Sequence, residues 1–181
     1  GLNATKDLDY TVKNSDIFFV CVPTPDKNGK IDLGIIETAI KELSILCENK
    51  NEYFLVVIKS TIIPMTAEKI IIPLIEKYSL KKAGHNFGVC FNPEFLRDRY
   101  AYEDFMNHDR IVIGEYDKKS GDMLSEIYKG FSCPIYRVSI KEAEMQKYVH
   151  NLFNACKISF FNEMREVCSK IGLSADKIFP L

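Results

Sequence analysis

The sequence predicts an α/β fold: a parallel β-sheet covered by helices on both faces, then one long helix. Three observations predict it. Short runs rich in β-branched and aromatic residues alternate with stretches of helical period. Those runs are apolar on both of their alternating faces, as strands buried between two helical layers must be. From Ser139 onward, one helical period continues without interruption to Ile171.

In order, "DIFFVCV" (16–22) and "YFLVVIKS" (53–60) read as strands. Between them, Leu33 to Glu48 repeats apolar residues at helical spacing (Ile36, Ala39, Ile40, Leu43, Leu46, Cys47), which completes one βαβ unit. A second unit follows, with "TAEKIIIPLIEKYS" as its crossover helix, kinked by Pro73, and "FGVCF" as its strand. The strand "RIVIG", a helix from Ser120 to Gly130 and the strand "PIYRVS" finish the sheet. The stretch "SIKE" is a capping box with Ser139 at the cap and Glu142 three residues on. Glu142 and Glu144 also suit the positive end of the helix dipole. Gly172 is the expected terminator. The resulting helix, about 45 to 50 Å long, exceeds the width of a domain of this size and should bridge to a second domain or to a twin helix in a dimer, a plain core helix being the simpler alternative. Phe153, Phe160, Phe161 and Met164 suit either. The division expected is a sheet domain over 1–138 and the long helix with the start of a further domain over 139–181.

Composition narrows the function. Twenty-four basic residues against 25 acidic ones leave a net charge of −1, so nothing draws the chain to nucleic acid or to an anionic membrane. His85, His108 and His150 are scattered and no CxxC spacing occurs, which argues against a structural metal. The six cysteines read as reduced, mostly buried thiols. Apolar runs stop well short of the ~20 residues needed to span a bilayer, and no signal peptide is visible, so a cytoplasmic protein is expected.

Three successive strands release the chain into "PTPD", "STIIP" and "NPEFLRD" at one sheet edge. In open α/β sheets ligands bind at that carboxyl edge. Proline past a strand also simply ends pairing, an innocent reading for any one of the three. Asn92 suits a helix cap and Pro93 a first helical position, which would put Glu94 and Asp98 on one face of a short helical turn. On the long helix Lys147 and Asn151 lie about 40° apart and, with Asn154, Asn162 and Arg165, form a polar stripe; a solvated face is the simpler reading of it.

Taken together, "VCVPTPDKNGKIDL", "KSTIIP", "NPEFLRD", "DRIVIG" and "AEMQKYVHNLFNACKISFFNEM" resemble the UDP-glucose/GDP-mannose dehydrogenase family. The resemblance implies a Rossmann-like sheet, incomplete at its N-terminus, NAD as cofactor, a nucleotide sugar as substrate with UDP-glucose favoured, and a homodimer through the long helix. It implies a bed for the cofactor at Val22, Pro23, Thr24 and Pro25 and again at Ser60 and Thr61. It makes Glu94 a general base acting with a water that Thr61 helps to hold. Phe95, Leu96 and Arg97 would continue a loop over the substrate. Asp98 would stand near cofactor and substrate where the family's usual residue is a glutamate. Lys147 and Asn151 match the substrate-side lysine and asparagine, the lysine steadying the oxyanion at the sugar's carbon six. Cys156, nine residues past Lys147, points to the opposite side of the helix and is not the nucleophile.

The same resemblance implies two oxidations. The alcohol yields hydride to NAD, a cysteine thiolate captures the aldehyde, a second NAD oxidises the thiohemiacetal, and water hydrolyses the thioester. The phosphate-binding glycine loop and that cysteine are expected outside these 181 residues, leaving the chain alone inactive and a weak NAD binder. Two alternatives stand beside this reading: a β-hydroxyacid dehydrogenase, with one oxidation, and a non-catalytic dimerisation or nucleotide-binding module.

Overall fold

The computed structural model describes residues 1–180, without the side chain of Asp98. The chain opens with α1 (Leu8–Lys13) and enters strand β1 (Ile17–Val20); a hairpin of β2 (Asp26–Lys27) and β3 (Lys30–Ile31) leads to α2 (Gly34–Cys47) and strand β4 (Phe54–Ile58). A π-helical turn (Ala67–Ile71), α3 (Ile72–Ser79) and strand β5 (Phe87–Phe91) follow. Then come a 3-10 turn (Asp98–Tyr100), α4 (Ala101–Met106), strand β6 (Ile111–Glu115), α5 (Lys118–Ile127), strand β7 (Ile135–Ser139), α6 (Ile140–Lys170) and α7 (Ala175–Ile178).

The main sheet runs β1-β4-β5-β6-β7. Strands β1, β4 and β5 are parallel, with Val20 beside Ile58 and Ile58 beside Phe91. The α/β class with a mostly parallel sheet holds, but the sheet is not parallel throughout: β6 pairs antiparallel with β5 (Phe91 with Gly114), and β7 then runs parallel to β6. The reason is the connection. Residues 92–110 contain only a 3-10 turn and the six-residue α4, too little for a crossover, so the chain re-enters the sheet at the edge it left. The starts of β6 and β7 therefore share an edge with the ends of β1, β4 and β5.

Every residue of β4 and β5 is buried. Alternation divides them between two cores: Phe54, Val56, Ile58, Phe87, Val89 and Phe91 meet α2, the π turn and α3 on one face, while Leu55, Val57 and Cys90 meet Leu124 and Tyr128 on the other. Phe54 stacks on Phe87 at 5.5 Å between centroids, and Phe18 meets it edge-on at 6.0 Å. Strand β1 lies at the sheet's edge and leaves Phe19 41% exposed.

Local sequence explains the irregularities. Pro73 does interrupt its helix, as expected, because it lacks an N–H; the turn before it widens to π form, and Pro73 sits in the first positions of α3. Asn28 and Gly29 carry φ of 56° and 75°, the pair a two-residue hairpin turn demands, and they close β2 on β3. At the start of α6, the Glu142 carboxylate accepts from both the N–H and the hydroxyl of Ser139, at 2.8 and 2.6 Å. Its end is a Schellman turn: Leu173 N–H donates to the Cys168 carbonyl at 2.8 Å and Gly172 N–H to that of Ser169 at 3.3 Å, with Gly172 at φ 74°.

Two compact units result, Gly1–Met145 and Gln146–Leu181. Ile140 and Ala143, at the start of α6, belong to the first unit's core. Among the described residues the six cysteines are unpaired, with Cys47, Cys90 and Cys168 buried and Cys21 and Cys156 exposed. Among those residues, no helix is long and apolar enough to cross a membrane, and no cluster of His, Cys, Asp or Glu could hold a metal ion.

Candidate active site

Register builds the site. Because Val20, Ile58 and Phe91 stand level on adjacent parallel strands about 4.8 Å apart, the segments after them leave the sheet side by side. They are tied to one another. Lys59 N–H donates to the Val20 carbonyl at 2.9 Å, and the Ser60 hydroxyl donates to the Val22 carbonyl at 2.6 Å. The Thr24 hydroxyl donates to the Thr61 carbonyl at 2.8 Å. Asp32 N–H donates to the Pro25 carbonyl at 2.8 Å, so the β2–β3 hairpin anchors the far end of the Val22–Pro25 segment. Val22, Thr24 and Thr61 are half-buried and Pro23 and Pro25 exposed, whereas Ser60 is buried with its hydroxyl committed to the neighbouring loop. Ser60 is thus a brace for that loop.

The segment after β5 differs from expectation. Asn92 does not cap a helix, and no helix starts at Pro93; residues 92–97 are irregular. Asn92 is 1% exposed and turns back into the sheet edge, where its carbonyl oxygen accepts from the Tyr128 hydroxyl at 2.6 Å and Lys59 Nζ at 3.1 Å. Its amide donates to the Val112 carbonyl at 2.8 Å. A buried amide with several partners gains more from this network than from capping one exposed turn. Glu94 stands half-buried two residues on, its Oε2 accepting from Leu96 N–H at 2.6 Å, which fixes the carboxylate's direction. Phe95 packs against the first core and carries the Arg110 guanidinium 4.5 Å over its ring. Leu96 is half-buried. Arg97, expected to cover the substrate, is clamped to Asp104 of α4 through Nε at 3.0 Å and Nη2 at 2.7 Å. The Asp98 side chain, expected near cofactor and substrate, lies outside the described residues.

Lys59, Asn92, Glu94, Phe95, His108 and Tyr128 line a small cavity at this edge. Burial, and then the Lys59 ammonium, hold the His108 imidazole below its usual pKa, so it is neutral at pH 7. Burial pushes the Tyr128 phenol up to about 12, which keeps it a hydrogen-bond donor to Asn92. The Arg97 side-chain hydrogen bond pulls Asp104 down to about 2.

In the second unit, Lys147 is 5% exposed and Asn151 is exposed, one turn apart on α6. Their stripe is not a uniform solvated face. His150 and Asn154 bond to each other at 3.2 Å. Arg165 pairs with Asp176 of α7 at 2.8 Å and lies 5.4 Å over the Phe179 ring, so it serves packing between α6 and α7. Sequence reasoning missed Glu144. Its place near the start of α6 suits the helix dipole, yet it is fully buried and bound to the backbone of the Met65–Ala67 segment. One signal was present: Glu144 shares with Ile140, Ala143 and Lys147 a stripe at helical spacing that is otherwise core-facing, and an acid there needs a partner.

The chain is 43% identical over 181 residues to GDP-mannose 6-dehydrogenase of Pseudomonas aeruginosa and 37% identical over 183 residues to a UDP-glucose 6-dehydrogenase of Haloferax volcanii, covering 99% and 98% of this chain. It spans 42% of the length of either relative. A ternary complex of GDP-mannose dehydrogenase from P. aeruginosa superposes with a TM-score of 0.94 over 97% of this chain and 41% of that one, at 43% identity. A UDP-glucose dehydrogenase of Pyrobaculum islandicum superposes at 0.91 with 34% identity, over 97% and 40%. Residues 1–132 match the NAD binding domain and residues 141–181 the central domain of one family, so the chain belongs to the UDP-glucose/GDP-mannose dehydrogenase family.

Proposed function

We propose that this chain is part of an NAD-dependent enzyme that oxidises a nucleotide-linked hexose at its 6-hydroxyl to the uronic acid. The observation that carries the reading is the Thr24–Thr61 hydrogen bond at the edge where Glu94 also leaves the sheet in register. The residues present fit the cofactor. Half-buried Val22 and exposed Pro23 offer apolar surface for a ring, and half-buried Thr24 and Thr61 offer oxygen for a ribose. When bound, NAD supplies the acceptor for hydride from the sugar's carbon six.

The chain's own residues do the rest. Val22 to Pro25, braced by Ser60, and Thr61 form the cofactor bed. Glu94, oriented by Leu96 N–H, takes the proton from a water held beside Thr61. Phe95 and Leu96 shape the substrate side, and Arg97 holds that loop to α4. By the family resemblance, Lys147 is assigned the cation and Asn151 the amide of the substrate side. GDP-mannose is the first substrate to try, since relatives named for it reach 43% identity against 37% for one named for UDP-glucose; UDP-glucose, favoured from sequence, is the second. The exposed Leu152, Phe153, Ile158 and Phe160 of α6 suit a homodimer, by the hydrophobic area they would bury.

The test is NADH formation by the whole enzyme with each sugar nucleotide. Two NADH per sugar consumed supports the reading; one supports a single-oxidation dehydrogenase, and none with any sugar nucleotide overturns it.

A further inference from the structure

The turn that follows Thr61 is held in an expensive conformation by a single buried acid. Met65 has φ 77°, in the left-handed region that a residue with a Cβ avoids. Pro64 before it has no N–H to contribute. The N–H groups of Met65 and Ala67 converge on Glu144, which receives Met65 N–H on Oε2 at 2.5 Å and Ala67 N–H on Oε1 at 2.9 Å. Glu144 has 0% exposure, and Ala67 and Thr66 are buried with it. All of these groups lie in the first unit. A carboxylate shut away from water persists only where its oxygens are bound, and here each takes one backbone N–H. Burial raises the Glu144 pKa and the two N–H groups oppose that rise, so the acid and the turn stabilise each other.

We propose that Glu144 is a positioning residue: by holding the N–H groups of Met65 and Ala67 it fixes the 61–67 turn, and thereby sets the Thr61 carbonyl against the Thr24 hydroxyl. Its bearing on cofactor binding rests on the reading of Thr24 and Thr61 as the cofactor bed. No residue type other than glutamate keeps both contacts. Glutamine offers one acceptor and turns an NH₂ toward the second N–H, and aspartate is one methylene short.

The test uses three variants of the chain, Glu144→Gln, Met65→Gly and the two together, followed by amide hydrogen exchange, by the NMR signals of Thr24 and Thr61, and by NAD titration. Glu144→Gln should speed exchange at Met65 and Ala67 by about tenfold or more, move the Thr24 and Thr61 signals, and leave the β4 amides unchanged. The double variant should recover the Thr24 and Thr61 signals in part, because glycine adopts a positive φ without penalty. Unmoved Thr24 and Thr61 signals overturn the proposal. So does a uniform rise of exchange through β4, or a failure of Met65→Gly to restore the signals; either would make Glu144 only a stabilising contact. NAD affinity is read as the ratio of variant to parent, with a loss of about tenfold expected for Glu144→Gln. The NAD titration is made on the whole enzyme carrying the same substitutions; if the unsubstituted enzyme fails to bind NAD, the cofactor reading falls, while exchange and NMR still decide whether Glu144 sets the turn.

Discussion

The sheet edge of the first unit and the long helix of the second solve opposite problems. At the edge, functional side chains follow β1 and the wholly buried strands β4 and β5, and the loops that carry them are cross-tied by Ser60, Thr24, Asn92 and Glu144. On α6, Leu152 at 59% exposure, Phe153 at 66% and Ile158 at 60% contribute little to this chain's own core. One region is stabilised from within, so its geometry belongs to the chain. The other carries apolar surface whose value lies in what covers it.

That contrast can be broken at graded strengths. Phe54→Ala empties the stack with Phe87 beneath the site and should cost about 3–5 kcal/mol in urea unfolding. Asn92→Ala should cost about 1–3 kcal/mol, since it strands the Tyr128 hydroxyl and the Val112 carbonyl, and it should also lower the enzyme's turnover by releasing the Glu94 segment. If stability falls but turnover does not, Asn92 serves the fold alone. Phe153→Ser in the second unit should change unfolding by no more than about 0.5 kcal/mol while weakening self-association in sedimentation. Smallest is the Arg97–Asp104 clamp on the solvent side. Asp104 is held down to about 2, below its ordinary 3.8, so the pair's contribution is present above pH 3.8 and fades as pH falls through about 2. Carboxyl NMR should show that low midpoint, and Arg97→Ala should raise it only part of the way to the ordinary value, because the residue-97 backbone N–H still donates to Asp104 at 2.9 Å.

Much of the scaffold was legible because its signals are local and periodic. The runs that became β1, β4 and β5, the spacing of Ile36, Ile40 and Leu43 in α2, the Ser139–Glu142 cap and the stop at Gly172 all depend on neighbours within a turn or two. The Asn28–Gly29 hairpin carries an equally local signal, the Asn-Gly pair itself. What escaped depends on distant partners. The reversal of β6 follows from the length of a connection, not from its own residues. Asn92 had two local options, cap or sheet edge, and only Tyr128, Lys59 and Val112, brought in by folding, decide between them. Glu144 looks like any first-turn acid until the Met65 turn arrives above it.

The central claim is that the cofactor lies on the Thr24–Thr61 edge, and hydrogen exchange with and without saturating NAD tests it most directly. Slower exchange at the amides of Val22, Thr24, Ser60 and Thr61, with α7 unchanged, is the predicted result. NAD bound with those four amides unaffected would contradict it.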